Sequence, residues 1–276
     1  MNGVIEYYDE HPINEGQIRA ALAGEGKDAG RLLPEDLYAH DQDHYGGVDA
    51  TRRLAEACGI QAGDTVLDIC SGMGGPARLI AHEWDCDVTG IDFNPNRTPS
   101  AARLTAWVGL EDKARFVRGD ATSLPFTDTS FDRAISQEAF LHIGDKAALF
   151  AECFRVLKPG GRLAFTDWIA LDALGADERQ SLAEGIAYRD VHPLADYCAI
   201  VAGAGFAPVE AEDVSDQWRT ILRARLEMYR GMEGSTVASF GVERHRAFVA
   251  GYEQFIDRIE GRRIGGARIV ATKSAS

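Results

Sequence analysis

Short apolar runs alternate with amphipathic segments along most of the chain, a pattern typical of strands that alternate with helices. Five of the runs predict strands, at residues 65–68, 87–92, 115–121, 131–136 and 162–168. Acidic residues stand at or near the ends of all five strands: Asp68, Asp92, Asp120, Glu138 and Asp167. The helical segments between the strands predict an α/β fold with an open, mainly parallel sheet. Ligands of such sheets bind outside the carboxyl ends of the strands, where these acids would meet.

The last third of the chain has a different order of elements. The predicted elements are helices at 177–188 and 193–203, a strand at 207–214, helices at 217–229 and 248–259, and a strand at 266–272. The helices at 217–229 and 248–259 each carry their apolar residues on one face, so they need a surface to cover. The pattern therefore predicts a helical insertion before a seventh strand that has no helix after it.

A glycine-rich turn follows the first strand and opens a helix, in the run Cys70-Ser71-Gly72-Met73-Gly74-Gly75-Pro76. Gly72 and Gly74 allow a ligand to approach the main chain closely, and the helix N-terminus presents free N–H groups. The segment 72–77 fits the G-x-G-x-x-A pattern of a dinucleotide site, with Asp92 at the ribose position. However, the negative charge of Asp68 would repel a pyrophosphate and suits the cationic amino-acid end of S-adenosylmethionine. The sequence favours S-adenosylmethionine, with a nicotinamide cofactor or a turn without ligand as the alternatives.

Composition narrows the classes of partner. The chain has 276 residues, 45% of them hydrophobic, and a net charge of −14. That charge argues against a nucleic acid or an anionic membrane surface as partner, because both require a basic surface. Five cysteines are widely spaced and form no C-x-x-C pair, which predicts reduced thiols. We expect a cytoplasmic monomer or homodimer, with no signal peptide, no membrane span and no metal site.

Several motifs together resemble one family. They are Val66-Leu67-Asp68, Ser71-Gly72-Met73-Gly74-Gly75, Gly90-Ile91-Asp92, Gly119-Asp120-Ala121 and Arg155-Val156-Leu157-Lys158-Pro159-Gly160-Gly161. In order and spacing they are similar to the class I S-adenosylmethionine-dependent methyltransferases over about residues 60–170. The resemblance implies a Rossmann-like, doubly wound sheet of seven strands whose terminal strand is reversed. One departure is Cys70-Ser71, where the family often has Gly-Cys.

The polar segment 40–47 is either a surface loop that caps the helix at 48–58 or a lid over a ligand. The pattern Asp41-Gln42-x-His44-x-Gly46-Gly47, followed by Ala50-Thr51-Arg52, resembles the N-terminal lid of sarcosine/dimethylglycine N-methyltransferases and related small-molecule enzymes. This resemblance favours the lid. The predicted organisation is a lid at 1–47, a cofactor-binding core at 48–215, a helical cap at 216–260 and a returning terminal strand at 261–276.

The resemblance also implies the residues that bind the cofactor: Asp68, Cys70, Gly72, Gly74, Asp92, Phe93, Asp120, Ala121 and Gln137. Asp68 and Gly72 would hold the methionine end, which Gln137 would also line. Asp92 would bind the ribose, although an N-cap of the following helix is the alternative. Phe93, Asp120 and Ala121 would contact the adenine.

The implied reaction is methyl transfer to a small-molecule acceptor, with an amine nitrogen favoured over oxygen or carbon. Candidate bases or acceptor anchors are His44, Glu138, His142 and Asp167. The structural alternatives are a helix cap for His142 and a solvated strand end for Asp167, and Trp168 and Trp218 belong either to an apolar pocket or to the core. Two other functions stay open, a non-catalytic or regulatory module that binds S-adenosylmethionine and an enzyme that uses another one-carbon carrier such as a folate.

Overall fold

The computed structural model describes residues 2–9, 11, 13–27, 32–186 and 190–275. Its strands are β1 (Thr65–Ile69), β2 (Asp87–Asp92), β3 (Ala114–Arg118), β4 (Phe131–Gln137), β5 (Leu157–Ala170), β6 (Val209–Asp213) and β7 (Ile264–Thr272). They form one sheet in the order β3-β2-β1-β4-β5-β7-β6. Strand β7 runs antiparallel to both of its neighbours, and the other neighbouring strands are parallel. The predicted Rossmann-like sheet with a reversed terminal strand is therefore confirmed.

The helices lie on both faces of this sheet and beyond its carboxyl edge. They are α1 (Asn2–Asp9), α2 (Glu15–Gly24), α3 (Pro34–Leu37), α4 (Gly47–Cys58), α5 (Gly75–Glu83), α6 (Arg97–Trp107), α7 (Lys146–Val156), α8 (Ala176–Ile186), α9 (Leu194–Gly203), α10 (Ser215–Gly231), α11 (Glu233–Phe240) and α12 (Val242–Glu260). A short 3-10 turn spans Phe140–His142. None of the helices among the described residues combines the length and the apolar character that a bilayer span needs.

Two apolar layers hold the core helices on the sheet. On one face, Leu54 of α4 and Ile80 of α5 are buried against Val66 of β1. On the other face, Phe150 of α7 and Val201 of α9 are buried with residues of β1, β4, β5 and β7. The chain order places β1 between β2 and β4, so the crossovers diverge on either side of β1. This divergence is the switch point at which open α/β sheets bind ligands.

Helices α10 and α12 pack together above the carboxyl end of β5. Trp218 and Leu222 of α10 and Phe255 and Ile259 of α12 form a buried cluster with Trp168 of β5. These are the apolar faces that the sequence predicts at 217–229 and 248–259. Helix α11 lies between the two and is not predicted, because eight residues are too few to show a helical period.

Some predicted boundaries differ from those observed. Strand β5 begins at Leu157, five residues before the predicted strand, and includes Lys158–Gly161, because Gly160 N donates to Lys273 O and Lys273 N donates to Gly161 O. Asp120 lies beyond β3, in a turn closed by a hydrogen bond from Ser123 N to Asp120 O. The helix expected at 177–188 is described as far as Ile186, and its last two positions lie outside the described residues, as do 1, 10, 12, 28–31 and 276.

Candidate active site

A cavity of about 380 Å³ opens at the carboxyl ends of the central strands. This volume falls within the range of roughly 300–1,000 Å³ that is usual for small-molecule sites. One wall, which we call the core wall, includes most of the predicted cofactor residues: Asp68, Cys70, Gly72, Asp92, Phe93, Asp120, Ala121 and Gln137. The facing lid wall combines α1, the loop at 41–45 and the cap: Tyr7, Tyr8, His11, Asp43, His44, Tyr45, Arg225, Tyr252 and Phe255. Glu138, His142 and Trp168 also line the cavity, whereas the predicted residues Gly74 and Asp167 do not.

The glycine turn shapes the core wall through left-handed backbone. Gly72 has φ 54° and Gly74 has φ 78°, values that side chains disfavour. A Cβ on Gly74 would also lie 2.4 Å from the ring of Phe116, so this glycine serves packing on the side away from the cavity. Cys70 adopts φ 61° without being a glycine. The departure from the family pattern therefore falls on a residue with strained backbone, of the kind that collects at functional sites.

Asp68 provides an acceptor inside the core wall. Its side chain is buried, and its Oδ2 has no hydrogen-bond partner among the residues that the structure describes. Burial, and secondarily the neighbouring Asp92, raise the pKa of Asp68 to about 8. A buried carboxyl group without a partner is costly unless a ligand satisfies it. The cationic ammonium of an amino acid has the charge and the donors to do so.

Asp92 lies in the core wall next to the glycine turn. It accepts hydrogen bonds from Gly72 N at 2.7 Å and from Asn94 N at 2.8 Å, and desolvation raises its pKa. The N-cap of α6 is Asn96, so the alternative that Asp92 caps this helix is wrong. Farther along, Asp120 Oδ1 accepts from Thr122 N at 2.8 Å and from Thr122 Oγ1 at 2.7 Å.

The lid wall is rich in aromatic side chains. Tyr45 makes edge contacts with Trp168 and Trp218, at ring-centroid distances of 5.7 and 5.0 Å. Trp168 lines the cavity, and Trp218 packs behind it in the core. Tyr252 and Phe255 extend this surface from α12. An aromatic surface of this kind attracts cations through the faces of the rings.

His142 forms a polar pair with a residue that the sequence analysis missed. Tyr8 Oη lies 2.9 Å from His142 Nε2 in the cavity wall. Helix α7 is capped by Asp145, which accepts from Ala148 N, so the alternative that His142 is the cap is wrong. No local motif marks Tyr8, because it reaches its partner across 134 positions of sequence.

Glu138 joins the sheet to the loop at 41–45. Its Oε2 accepts from Tyr45 N and its Oε1 from Thr166 Oγ1, both at 2.6 Å. Its backbone has φ 48°, and burial raises its pKa to about 7. Glu138 therefore holds Tyr45 in place and stays close to its titration midpoint in the neutral range.

The structure does not bring Asp167 into the cavity. Its side chain is 1% exposed, so Asp167 is not a solvated strand end. It accepts hydrogen bonds from Tyr197 Oη at 2.7 Å and Leu141 N at 3.2 Å, and burial raises its pKa to about 6. These contacts are those of an internal structural carboxyl group.

Two arginines reach the lid wall from different elements, and sequence reasoning identified neither. Arg97 of α6 pairs with Asp43 at 2.7 Å and lies over the Tyr8 ring at 4.4 Å. Arg225 of α10 donates to the carbonyl oxygens of Asp43 and Gln42, at 2.8 and 3.2 Å. Burial alone would raise the pKa of Asp43, but His11 and the two arginines hold it below its usual range.

Comparison with known proteins agrees with this geometry. Residues 67–165 match a family described as a methyltransferase domain. The chain therefore contains a methyltransferase domain. Phosphoethanolamine N-methyltransferase 1 of Arabidopsis thaliana is 30% identical over 232 residues, which are 84% of this chain and 47% of that protein. Methyltransferase GfsG of Streptomyces halstedii is 35% identical over 63% of each chain. The predicted methyltransferase domain is confirmed over residues 67–165, whereas the individual site residues stay predictions.

Solved structures show how widely the methyltransferase fold is shared. A Haemonchus contortus phosphoethanolamine N-methyltransferase 2, in complex with phosphomonomethylethanolamine and S-adenosylhomocysteine, matches with TM-score 0.78 at 22% identity, over 98% of this chain and 60% of that one. A putative sarcosine dimethylglycine methyltransferase from Galdieria sulphuraria matches with TM-score 0.77 at 20% identity, over 95% and 99% of the two chains. At these identities the likeness shows the fold alone. The chain spans about half the length of the phosphoethanolamine relatives that it matches in sequence.

Proposed function

We propose that this chain transfers a methyl group from S-adenosylmethionine to a small amine that also carries an anionic group. The observation that carries the proposal is the composition of the cavity described above. The unpartnered Oδ2 of Asp68 lies on its core wall, and the Tyr8–His142 pair, the aromatic rings and Arg225 lie around the rest. One cavity thus combines a site for a cationic amino acid with a site for a second small molecule.

The core wall fits the cofactor, which when bound supplies a methyl group on a sulfonium centre. In the proposal Asp68 accepts from the ammonium of the methionine end, and Asp92 accepts from the ribose hydroxyls. Asp92 has a second lone pair on each oxygen after accepting from Gly72 N and Asn94 N. Phe93, Asp120 and Ala121 form the part of the wall assigned to the adenine.

The lid wall fits an acceptor with charges of both signs. Its aromatic rings suit an ammonium or a methylated amine, and the guanidinium of Arg225 suits a carboxylate or a phosphate. One sequence relative named above is a phosphoethanolamine N-methyltransferase, whose named substrate combines an amine with a phosphate. This name supports the acceptor class that the wall suggests.

An amine that arrives as an ammonium must lose a proton before its lone pair can attack. His142 and Tyr8 are the hydrogen-bonded pair in the cavity wall that can receive this proton. Beyond proton removal, the protein contributes alignment and exclusion of water, which supply most of the acceleration in a direct transfer.

The test has two steps. Calorimetry with S-adenosylmethionine, S-adenosylhomocysteine and NADH examines the cofactor, and binding of both sulfur compounds weaker than millimolar would refute the proposal. A screen with labelled S-adenosylmethionine then compares phosphoethanolamine, sarcosine, a phenol and a thiol as acceptors. Methylation of an anionic amine above the others supports the proposal. Tight cofactor binding with no turnover supports the non-catalytic module instead.

The affinity for S-adenosylhomocysteine is expected to rise about ninefold from pH 6 to 7 and about fivefold from pH 7 to 8. The reason is that Asp68, with a pKa of about 8, must lose its proton to accept from the ammonium of the ligand. Calorimetry in buffers of different ionisation enthalpy should detect release of a proton at pH 7. The control ligand is 5′-methylthioadenosine, which lacks the amino-acid end and should bind independently of pH. Affinity for S-adenosylhomocysteine that also ignores pH would contradict this assignment of Asp68.

The Arg225→Met variant is expected to raise the KM for an anionic amine about tenfold, because one charge-assisted hydrogen bond contributes roughly 1.5–3 kcal/mol. The KM for an analogue without the anionic group, such as ethanolamine in place of phosphoethanolamine, should change little. Arg223→Met, which alters an exposed arginine of the same helix paired with Glu260, is the matched control. Equal increases in KM for both acceptors would mean that Arg225 only supports the loop carbonyls.

The division into lid, core, cap and terminal strand is part of the proposal. Helix α4 begins at Gly47, α10 begins at Ser215 and α12 ends at Glu260, close to the predicted boundaries. A cytoplasmic monomer or homodimer likewise stays a prediction, which size-exclusion chromatography with light scattering tests for the oligomeric state.

A further inference from the structure

Gln137 presents one end of its amide to the protein and the other to the cavity. It closes β4, next to the strand that carries Asp68. Its Oε1 accepts a hydrogen bond from Thr51 Oγ1 at 2.9 Å. Its Nε2 is buried and has no hydrogen-bond partner within the described part of the chain. Gln137 therefore has its acceptor satisfied and its donors available at the cavity wall.

Thr51 receives support from the loop at 41–45. It lies on α4 with no exposed surface, and its Oγ1 is 3.0 Å from His44 Nε2. The same nitrogen lies 3.0 Å from Gly47 O, an acceptor, so His44 carries its hydrogen at Nε2. This one N–H is shared between Gly47 O and the Thr51 hydroxyl, and Thr51 gives its own proton to an amide oxygen. Gln137 Oε1 at 2.9 Å is nearer than Gln42 Oε1 at 3.4 Å.

This chain of hydrogen bonds selects one of the two orientations of the Gln137 amide. With Oε1 held by the hydroxyl, the NH₂ group must face the cavity. The core wall then offers a carboxyl acceptor at Asp68 Oδ2 and a neutral donor at Gln137 Nε2, both without protein partners among the described residues. An amino-acid end, with an ammonium and a carboxylate, requires one group of each kind. The reversed amide would instead present a second oxygen to the carboxylate.

We infer that Thr51, supported by His44, is a positioning residue that orients the Gln137 amide toward the amino-acid end of the cofactor. The inference rests on the proposed use of S-adenosylmethionine. It gives His44 a role in holding Thr51, in place of the role as base or acceptor anchor.

The experiment compares two ligands on the full chain. S-adenosylhomocysteine has the amino-acid end, and 5′-methylthioadenosine has the nucleoside and the thioether without it. The Thr51→Val variant keeps the shape of the side chain and loses the hydroxyl. It is expected to bind S-adenosylhomocysteine about fivefold more weakly and 5′-methylthioadenosine equally well, because a neutral hydrogen bond contributes little more than this factor. Thr51→Ser restores a hydroxyl and should restore the affinity.

Each other result has a distinct meaning. Equal weakening of both ligands, or no weakening of either, would overturn the positioning role of Thr51. Failure of the unaltered protein to bind either ligand would overturn the proposed function as well.

Thermal melting checks that Thr51→Val is folded at the assay temperature. If it is not, Gln137→Glu decides, because glutamate keeps an oxygen for Thr51 but offers the ligand no N–H. A loss of about tenfold confined to S-adenosylhomocysteine supports the inference, and an equal loss on both ligands overturns it.

Discussion

The His142→Ala variant is expected to turn over an amine acceptor about 100-fold more slowly at pH 7 while it binds S-adenosylhomocysteine as before. Removal of a positioned proton acceptor typically costs roughly 10²–10⁴-fold in rate. His142 faces Tyr8 at 2.9 Å, whereas the residues proposed to hold the cofactor lie on the core wall. Tyr8→Phe should show a smaller loss, about tenfold, because it removes one member of the pair and leaves the ring.

The pH profile separates proton removal from simple packing. At high pH the amine arrives already deprotonated, so the deficit of His142→Ala should shrink as the pH rises toward the pKa of the acceptor. His82→Ala, which removes a histidine outside the cavity that pairs with Glu35 at the surface, is the matched control and should change turnover little. A deficit that is the same at pH 7 and pH 10 would show that His142 only shapes the cavity.

The core wall was predictable because its residues sit at fixed positions relative to strands. Asp68 and Asp92 end apolar runs, and parallel strands bring such ends to one edge of the sheet. Gly72 follows within the same short turn. The local sequence pattern therefore predicts most of the residues that form the core wall.

The lid wall was not predictable in the same way. Tyr8, Arg97 and Arg225 come from three helices that are far apart in sequence. They line one cavity only when the lid and the cap pack on the core. An arginine on an amphipathic helix has the sequence signature of a solvated surface residue. Nothing local to Arg225 indicates that its guanidinium turns inward to two loop carbonyls.

The contacts of the acidic residues at 41–45 were also not predictable from the local sequence. Its acidic residues suggest an exposed loop, and the resemblance to a lid says where the segment lies but not what holds it. In the structure Asp41 and Asp43 each meet an arginine, Arg78 and Arg97 respectively. The loop is therefore fixed by two ion pairs, one buried and one partly buried, whose partners lie 37 and 54 positions away.

Arg78 and Asp41 form the most buried of these pairs. The Arg78 Nη2 and Asp41 Oδ2 atoms are 2.8 Å apart, and each side chain is 1% exposed. Arg78 Nη1 also donates to Thr105 Oγ1 and Ala101 O, which ties the loop through α5 to α6. The backbones of the loop and of α5 also lie close together, because a Cβ on Gly75 would be 2.3 Å from Asp41 O.

The Asp41→Asn variant is expected to lose about 3–5 kcal/mol of unfolding free energy, because it leaves the Arg78 charge buried without a counter-charge. For a chain of this size that loss lowers the melting temperature by roughly 10 °C. Denaturant unfolding and calorimetry measure both quantities. Asp49→Asn is the matched control, because its partner Arg52 and its own carboxylate are largely exposed, and exposed pairs contribute about 0–1 kcal/mol.

A double variant, Asp41→Leu with Arg78→Met, separates the unpaired charge from the lost contact. If the cost of Asp41→Asn comes from the isolated guanidinium, removing both charges should recover most of the stability, as apolar replacement of buried pairs often does. If the double variant is as unstable as Asp41→Asn, the loop is held by the specific hydrogen bonds to Thr105 and Ala101 instead. Because Asp41 lies at the start of the segment that carries His44 and Tyr45, the first outcome would also yield a stable protein in which the loop keeps only the ion pair between Asp43 and Arg97. Turnover of that protein would then measure how much the Asp41–Arg78 pair contributes to alignment of the acceptor.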